Sequence, residues 1–171
     1  MFTIRQTQTS DVNQLPTIEY SAAQLFRFIP DLAWIADGHV QTEQQHLDYI
    51  AQDNSWVALE KGHPIGFILV KSMDDGLHIV ELSVHGDWQR KGIGKALIEK
   101  VIQVAKQRKL QSVTLTTFRY VGWNAPFYQR LGFSILEPQQ MSEALQQILQ
   151  DEIKYGFSAV QRCAMKRLVI A

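Results

Sequence analysis

One cysteine, Cys163, stands in 171 residues. A lone thiol excludes an intramolecular disulfide and a cysteine-rich metal site. A surplus of one charge is missing too, since 17 Lys and Arg balance 17 Asp and Glu. Proteins that live on nucleic-acid phosphates carry a basic excess, so nucleic acid is not an expected partner. Long apolar runs are absent: the longest, IGFILV at 65–70, is far too short to span a bilayer. The opening MFTIRQTQTSD lacks the apolar stretch of a secretory signal. The expectation is a cytoplasmic protein with no membrane contact. His39, His46, His63 and His85 show no ligand spacing, so they are read as solvent-facing and no metal is expected. Repeats, low-complexity segments and linkers are also lacking. The chain reads as one domain over 1–171, long enough to bury a core.

What is present is a mixture of both periodicities. FTIRQT at 2–7 alternates as a strand does, and Ser10-Asp11 looks like a helix N-cap ahead of Val12, Leu15, Ile18 and Ala22. Pro16 falls near that helix start, where it is tolerated. Thr42-Glu43 opens a second helix through Leu47 and Ile50, and IPDLAWIADGH between the two reads as an apolar loop. SWVALEK and PIGFILVKSM, split at Gly62-His63, form a hairpin pattern. After the turn Asp74-Asp75-Gly76, LHIVELSV has apolar residues on both parities, which suits a central strand. Ile93, Leu97, Ile98, Val101, Ile102 and Ala105 mark a helix face, and QSVTLTTF at 111–118 is a strand. Strand, helix, strand at this spacing predicts a parallel pair. NAPFYQRL is a short helix ended by Gly132. FSIL follows as a strand, MSEALQQILQDEIKYG as a helix and SAVQRCAMKRL as a last strand.

The chemistry-bearing stretch is DWQRKGIGKAL at 87–97. Two glycines lie one residue apart between a strand and a helix. Amides at a helix N-terminus are unsatisfied and attract anions, and glycines let an anion approach them. Arg90, Lys91 and Lys95 add charge. A Walker A loop is excluded, because Gly86 and Gly92 have the wrong spacing and Gly94-Lys95-Ala96 lacks the magnesium-binding hydroxyl. A dinucleotide fingerprint is excluded as well. Position 97 is Leu rather than a third glycine, and 111–117 has no acidic residue for a ribose.

QRKGIG fits the pattern Q/R-x-x-G-x-G/A and resembles the pyrophosphate loop of the GNAT superfamily of acyl-CoA-dependent N-acetyltransferases. IRQTQTSDVNQL resembles that family's opening strand and helix, and LHIVELSVHGDWQRKGIGKALIEKVIQVAKQRK its central strand, loop and helix. NAPFYQRLGF resembles its second signature and CAMKRL its last strand. The resemblance covers nearly the whole chain. It implies a mixed α/β fold with a mostly antiparallel sheet, one parallel and splayed strand pair, and helices on both faces. It implies acetyl-CoA as co-substrate, held by the strand backbone at Leu82, Ser83 and Val84, by the loop Gln89, Arg90, Lys91, Gly92, Ile93, Gly94 and Lys95, and by Asn124. A small-molecule amine or a peptide is the implied acceptor, and a homodimer is common among such proteins.

Acetyl transfer needs a neutral amine and gains from a proton on the departing thiolate. By resemblance Tyr128 is the acid, four residues after Asn124 on one helix face; the alternative is a core aromatic. Asn124 can cap its helix or bond the cofactor. Glu81, an acid in an apolar strand, is the preferred base or amine-binding group, with His78 as rival; both can instead be structural. Phe26, Phe28 and Trp34 line an acceptor pocket or belong to the core, and Glu19 on the first helix is a lesser candidate for meeting an amine. Cys163, far from the loop, offers no acyl nucleophile, so direct transfer is expected. The alternative is a CoA-binding sensor or interaction module without catalysis. Polyamine, aminoglycoside, amino acid and protein N-terminus all remain open as acceptors.

Overall fold

The computed structural model describes residues 1–169, so the last two positions of the expected domain lie outside the described residues. Among the described residues seven strands, β1 (Thr3–Gln6), β2 (Ser55–Glu60), β3 (His63–Met73), β4 (Gly76–Val84), β5 (Ser112–Phe118), β6 (Ser134–Ile135) and β7 (Arg162–Leu168), follow the sheet order β1-β2-β3-β4-β5-β7-β6. β1–β2, β2–β3, β5–β7 and β6–β7 are antiparallel, and β4–β5 is parallel. The helices are α1 (Leu15–Ala23), α2 (Glu43–Ala51), α3 (Ile93–Gln107), α4 (Ala125–Arg130) and α5 (Glu143–Tyr155). The mixed α/β class, the central place of β4 and the parallel pair are as expected. The chain divides into two compact units, Met1–Lys71 with Val80–Lys100, and Ser72–Ile79 with the chain from Val101 onward.

In the first unit, β2 and β3 form the expected hairpin, turning at Lys61-Gly62 so that Glu60 pairs with His63. The register shifts at Ala58/Leu59, opposite Pro64 and Gly66, which suits a proline that has no N–H for the ladder. The first helix differs from expectation. Thr9–Gln14 is a 3-10 turn, and α1 begins only at Leu15, with Pro16 in its first turn. Asp11 is not the cap residue: its carboxylate accepts the Gln8 N–H at 2.8 Å and holds the Arg5 guanidinium at 2.8 and 3.1 Å. The expected loop before α2 is two 3-10 segments, Gln24–Phe28 and Pro30–Asp37. Their bonding to the third residue gives no 3.6-residue periodicity to read. Gln24 Nε2 ties them together by donating to Tyr20 O and Ala36 O, each at 2.9 Å. Thr42 caps α2 as expected, accepting from Gln45 N–H at 3.1 Å. Leu15 and Ile18 of α1 pack on Val57, Leu59, Phe67 and Leu69.

In the second unit the parallel ladder sets Gly76 against Ser112, Leu77 against Val113 and His78 against Thr114. A Cβ on Gly76 would lie 2.4 Å from Ser112 O, so this register admits only glycine there. β5 and β7 pair along their whole lengths, from Ser112↔Leu168 to Phe118↔Arg162. Arg162 locks α5 to them. Its Nε donates to Glu152 Oε1 at 3.0 Å, and its guanidinium lies over the rings of Phe118 and Phe157 at 4.5 and 4.7 Å. Ser142, one residue later than the helical pattern began, caps α5 by accepting from Leu145 N–H.

His46 corrects the reading of the histidines as solvent-facing. It is 0% exposed, its ring edge stands on Phe67 at 4.9 Å, and neither ring nitrogen has a hydrogen-bond partner. Burial pushes its pKa down to about 4, against about 6.5 in an unfolded chain. Between those values the unfolded chain takes a proton that the native state refuses. Stability is therefore lost as pH falls from 6.5 to 4, by about 2 kcal/mol at pH 5 from this group. Urea unfolding at pH 8 and pH 5 checks this: His46→Leu should lose about 2 kcal/mol less than the wild-type chain on acidification, and equal losses would contradict the assignment.

Candidate functional site

The site begins where β4 ends. Val84 O accepts from Gln89 Nε2 at 2.9 Å, so the Gln89 side chain braces the loop against its own strand. His85 N–H donates to Ile65 O, His85 Nδ1 accepts from Asp87 N–H at 3.1 Å, and Gly86 N–H donates to Ser21 Oγ of α1 at 2.9 Å. These bonds settle the loop before the glycines. The first α3 bond runs from Ala96 N–H to Gly92 O. The amides of Gly92, Ile93, Gly94 and Lys95 therefore precede the helical ladder and form its electropositive end. Gly92 has φ +83°, and no atom lies within 4 Å of where its Cβ would be. The backbone is open on that side, as an anion requires. Arg90, Lys91 and Lys95 are exposed around it. Lys91 Nζ lies 4.9 Å above the Trp88 ring, and Lys95 reaches Glu99 only at 4.0 Å.

Leu82 and Val84 are half-buried, and Ser83 is buried with its Oγ donating to Glu81 Oε1 at 3.0 Å. Gly66 of β3 permits the close approach of Ser83 O, which would lie 3.1 Å from any Cβ there. Glu81 is half-buried. In the second unit, His78 is buried and its Nδ1 sits 2.9 Å from Thr114 Oγ1, its partner in the parallel register. Tyr128 is buried in an aromatic group, edge-on to Phe127 at 5.2 Å and Phe133 at 5.9 Å. Asn124 precedes α4 but makes no side-chain cap. Its Nδ2 donates to Trp123 O at 3.2 Å, and its buried Oδ1 has no partner. A buried acceptor left without a donor is costly, and a bound ligand carrying an N–H or O–H would relieve it.

The residues present fit a phosphate-bearing cofactor with hydrogen-bond donors. Glu81 and the loop fall in the first unit, His78, Asn124 and Tyr128 in the second. Phe28 and Trp34 are exposed rather than core. Glu19, only a minor candidate in the sequence, is a buried carboxyl whose pKa burial raises to about 7; its place on the apolar face of α1, in step with Leu15 and Ile18, is the signal that marks it. Among the described residues, no group of three His, Cys, Asp or Glu is arranged to hold a metal, and no helix is long and apolar enough to cross a membrane.

The family model described as "Acetyltransferase (GNAT) family" matches residues 21–133. The mouse N-acetyltransferase family 8 member 3 is 29% identical over 93 residues, which is 50% of this chain and 41% of that protein. The chain thus spans about two fifths of that relative's length. The PaiA N-acetyltransferase of Thermoplasma acidophilum, solved in complex with coenzyme A, is 16% identical with a TM-score of 0.72 over 98% of this chain and 99% of its own. The ribosomal-protein-S18-alanine N-acetyltransferase of Escherichia coli is 17% identical, with a TM-score of 0.68 over 100% and 96% of the two chains.

Cys163 is buried in β7, and burial raises its pKa above the ordinary thiol value. Such a thiol is a poor nucleophile. A chromogenic disulfide reagent should label it only after denaturation, and rapid labelling of the native protein would overturn this.

Proposed function

The chain belongs to the GNAT acetyltransferase family, and on that premise we propose that residues 1–171 form one N-acetyltransferase domain. It moves an acetyl group from acetyl-CoA directly to a primary amine. The observation that carries the donor is the open, cation-flanked start of α3 at Gly92. The amides of Gly92, Ile93, Gly94 and Lys95 hold the pyrophosphate, with Arg90 and Lys91 neutralising its charge. Gln89 keeps the loop in register through its bond to Val84 O. The β4 backbone at Leu82, Ser83 and Val84 pairs with the amide-bearing arm of the cofactor, and Asn124 Oδ1 accepts from it. When bound, acetyl-CoA supplies an activated thioester.

The chain's own groups then manage charge and protons. A strand N–H at Leu82 donates to the acyl oxygen as negative charge grows there. Tyr128 Oη holds the proton for the departing sulfur. Glu81 takes the proton of the incoming amine directly or through water. His78 is the rival; each is hydrogen-bonded, His78 with Thr114 Oγ1 and Glu81 with Ser83 Oγ, and Glu81 is preferred because it lies nearer the cofactor-binding end of β4. The buried, poorly nucleophilic Cys163 supports transfer without an acyl-enzyme.

Tyr128→Phe keeps the aromatic packing and removes the proton. Turnover should fall about a hundredfold, with CoA affinity by calorimetry unchanged; undiminished turnover would remove Tyr128 from the acid role. Gly92→Val sets a β-branched side chain in a left-handed conformation at the open face. CoA affinity should fall at least tenfold, and a variant that binds CoA as the wild type does would displace the pyrophosphate from this loop.

A further inference from the structure

Glu81, His78 and Tyr128 leave one buried carboxyl without a task. Glu19 lies in the middle of α1, 9% exposed. Its one hydrogen bond among the described residues is to Oε1, from the Gln41 N–H at 2.9 Å. Buried carboxylates are ordinarily paired with a cation, and among the described residues no Lys or Arg pairs with Glu19. The first 60 residues contain two Lys or Arg against eight Asp or Glu, an excess of six negative charges. Both cations are committed elsewhere, Arg5 to Asp11 at 2.8 and 3.1 Å and Arg27 to Asp37 at 2.6 and 3.2 Å. α1 packs on the 3-10 segments at 9–14, 24–28 and 30–37, on α2, on the turn at 86–88 and, through Leu15 and Ile18, on β2 and β3. The Lys and Arg on these elements are Arg27 and Lys71, and Lys71 is exposed.

α1 is also joined to the cofactor loop, since Ser21 Oγ accepts the Gly86 N–H. The helix that carries Glu19 thus braces the segment leading to the start of α3. The carboxyl is pushed up to about 7 by burial, the state of an acid that lacks a counter-ion, and a bound ammonium would return it to the charged form.

We infer that Glu19 binds a charged nitrogen of the acceptor. A nitrogen that attacks a thioester must be neutral, so the charge held by Glu19 belongs to a second nitrogen. The acceptor is a diamine or another amine carrying an additional cationic nitrogen. The negative excess of the first 60 residues favours the approach of such a molecule. Glu19 is a specificity-determining residue in this scheme, which rests on the acetyltransferase reading.

Glu19→Gln keeps an oxygen for the Gln41 N–H and removes the charge. The probes are an α,ω-diamine and the alkyl monoamine of the same chain length, with acetyl-CoA as donor. The wild-type enzyme should prefer the diamine. Glu19→Gln should raise the diamine KM at least tenfold with kcat nearly unchanged, and leave the monoamine unaffected. Independently of turnover, carbon NMR of Glu19 without CoA should show its titration midpoint falling from about 7 when the diamine is added. An active wild type whose preference survives Glu19→Gln overturns the inference, as does a midpoint that the diamine does not move. A wild type that acetylates neither probe while the midpoint moves overturns the acetyltransferase reading and leaves the Glu19 site standing.

Discussion

Four backbone amides at the start of α3 have no carbonyl to bond within their helix, and the proposed chemistry of the molecule depends on what they meet instead. The helix ladder begins only at Ala96 N–H. The amides before it carry the positive end of a 15-residue helix. Position 92 faces open space, and glycine takes its φ of +83° without strain. Neighbouring bonds serve to hold this opening in place: Gln89 to Val84, His85 to Ile65, Gly86 to Ser21. Each pins the loop to a strand or helix of the same unit.

The loop was legible because its signal lies in the backbone. Glycine spacing and flanking charge report directly on which amides are open, and the Walker and dinucleotide alternatives fail at named positions. The parallel pair was legible for a similar reason, since a helix between two strands leaves one handed solution. Gly76 shows the cost of that register, with Ser112 O where its Cβ would be. The 24–37 segment was not legible. Two short 3-10 turns have no face with a 3.6-residue period, and they are held by Gln24, a residue with no sequence signal of that role. His46 was misread for another reason. Its polarity suggested solvent, but one buried ring edge-on to Phe67 follows from tertiary packing alone. Asn124 carried two readings, cap and cofactor contact; its side chain makes no cap, and its buried Oδ1 has no hydrogen-bond partner.

Charge is divided along the chain although the total is balanced. The first 60 residues are acidic on balance, and the remainder carries the compensating basic excess, including Arg90, Lys91 and Lys95 beside the α3 amides. A zero net charge therefore conceals two segments of opposite sign, and the proposed donor and acceptor sites, the α3 terminus and Glu19, fall one in each. The buried thiol of Cys163 takes no part in either.

The most direct measurement is to incubate the wild-type protein with acetyl-CoA and a panel of mono- and diamines, following free thiol release and identifying acetylated amines by mass spectrometry. The account predicts thiol release that requires an amine, matched mole for mole by an N-acetylated product. CoA bound tightly with no acetyl group transferred to any amine would contradict it.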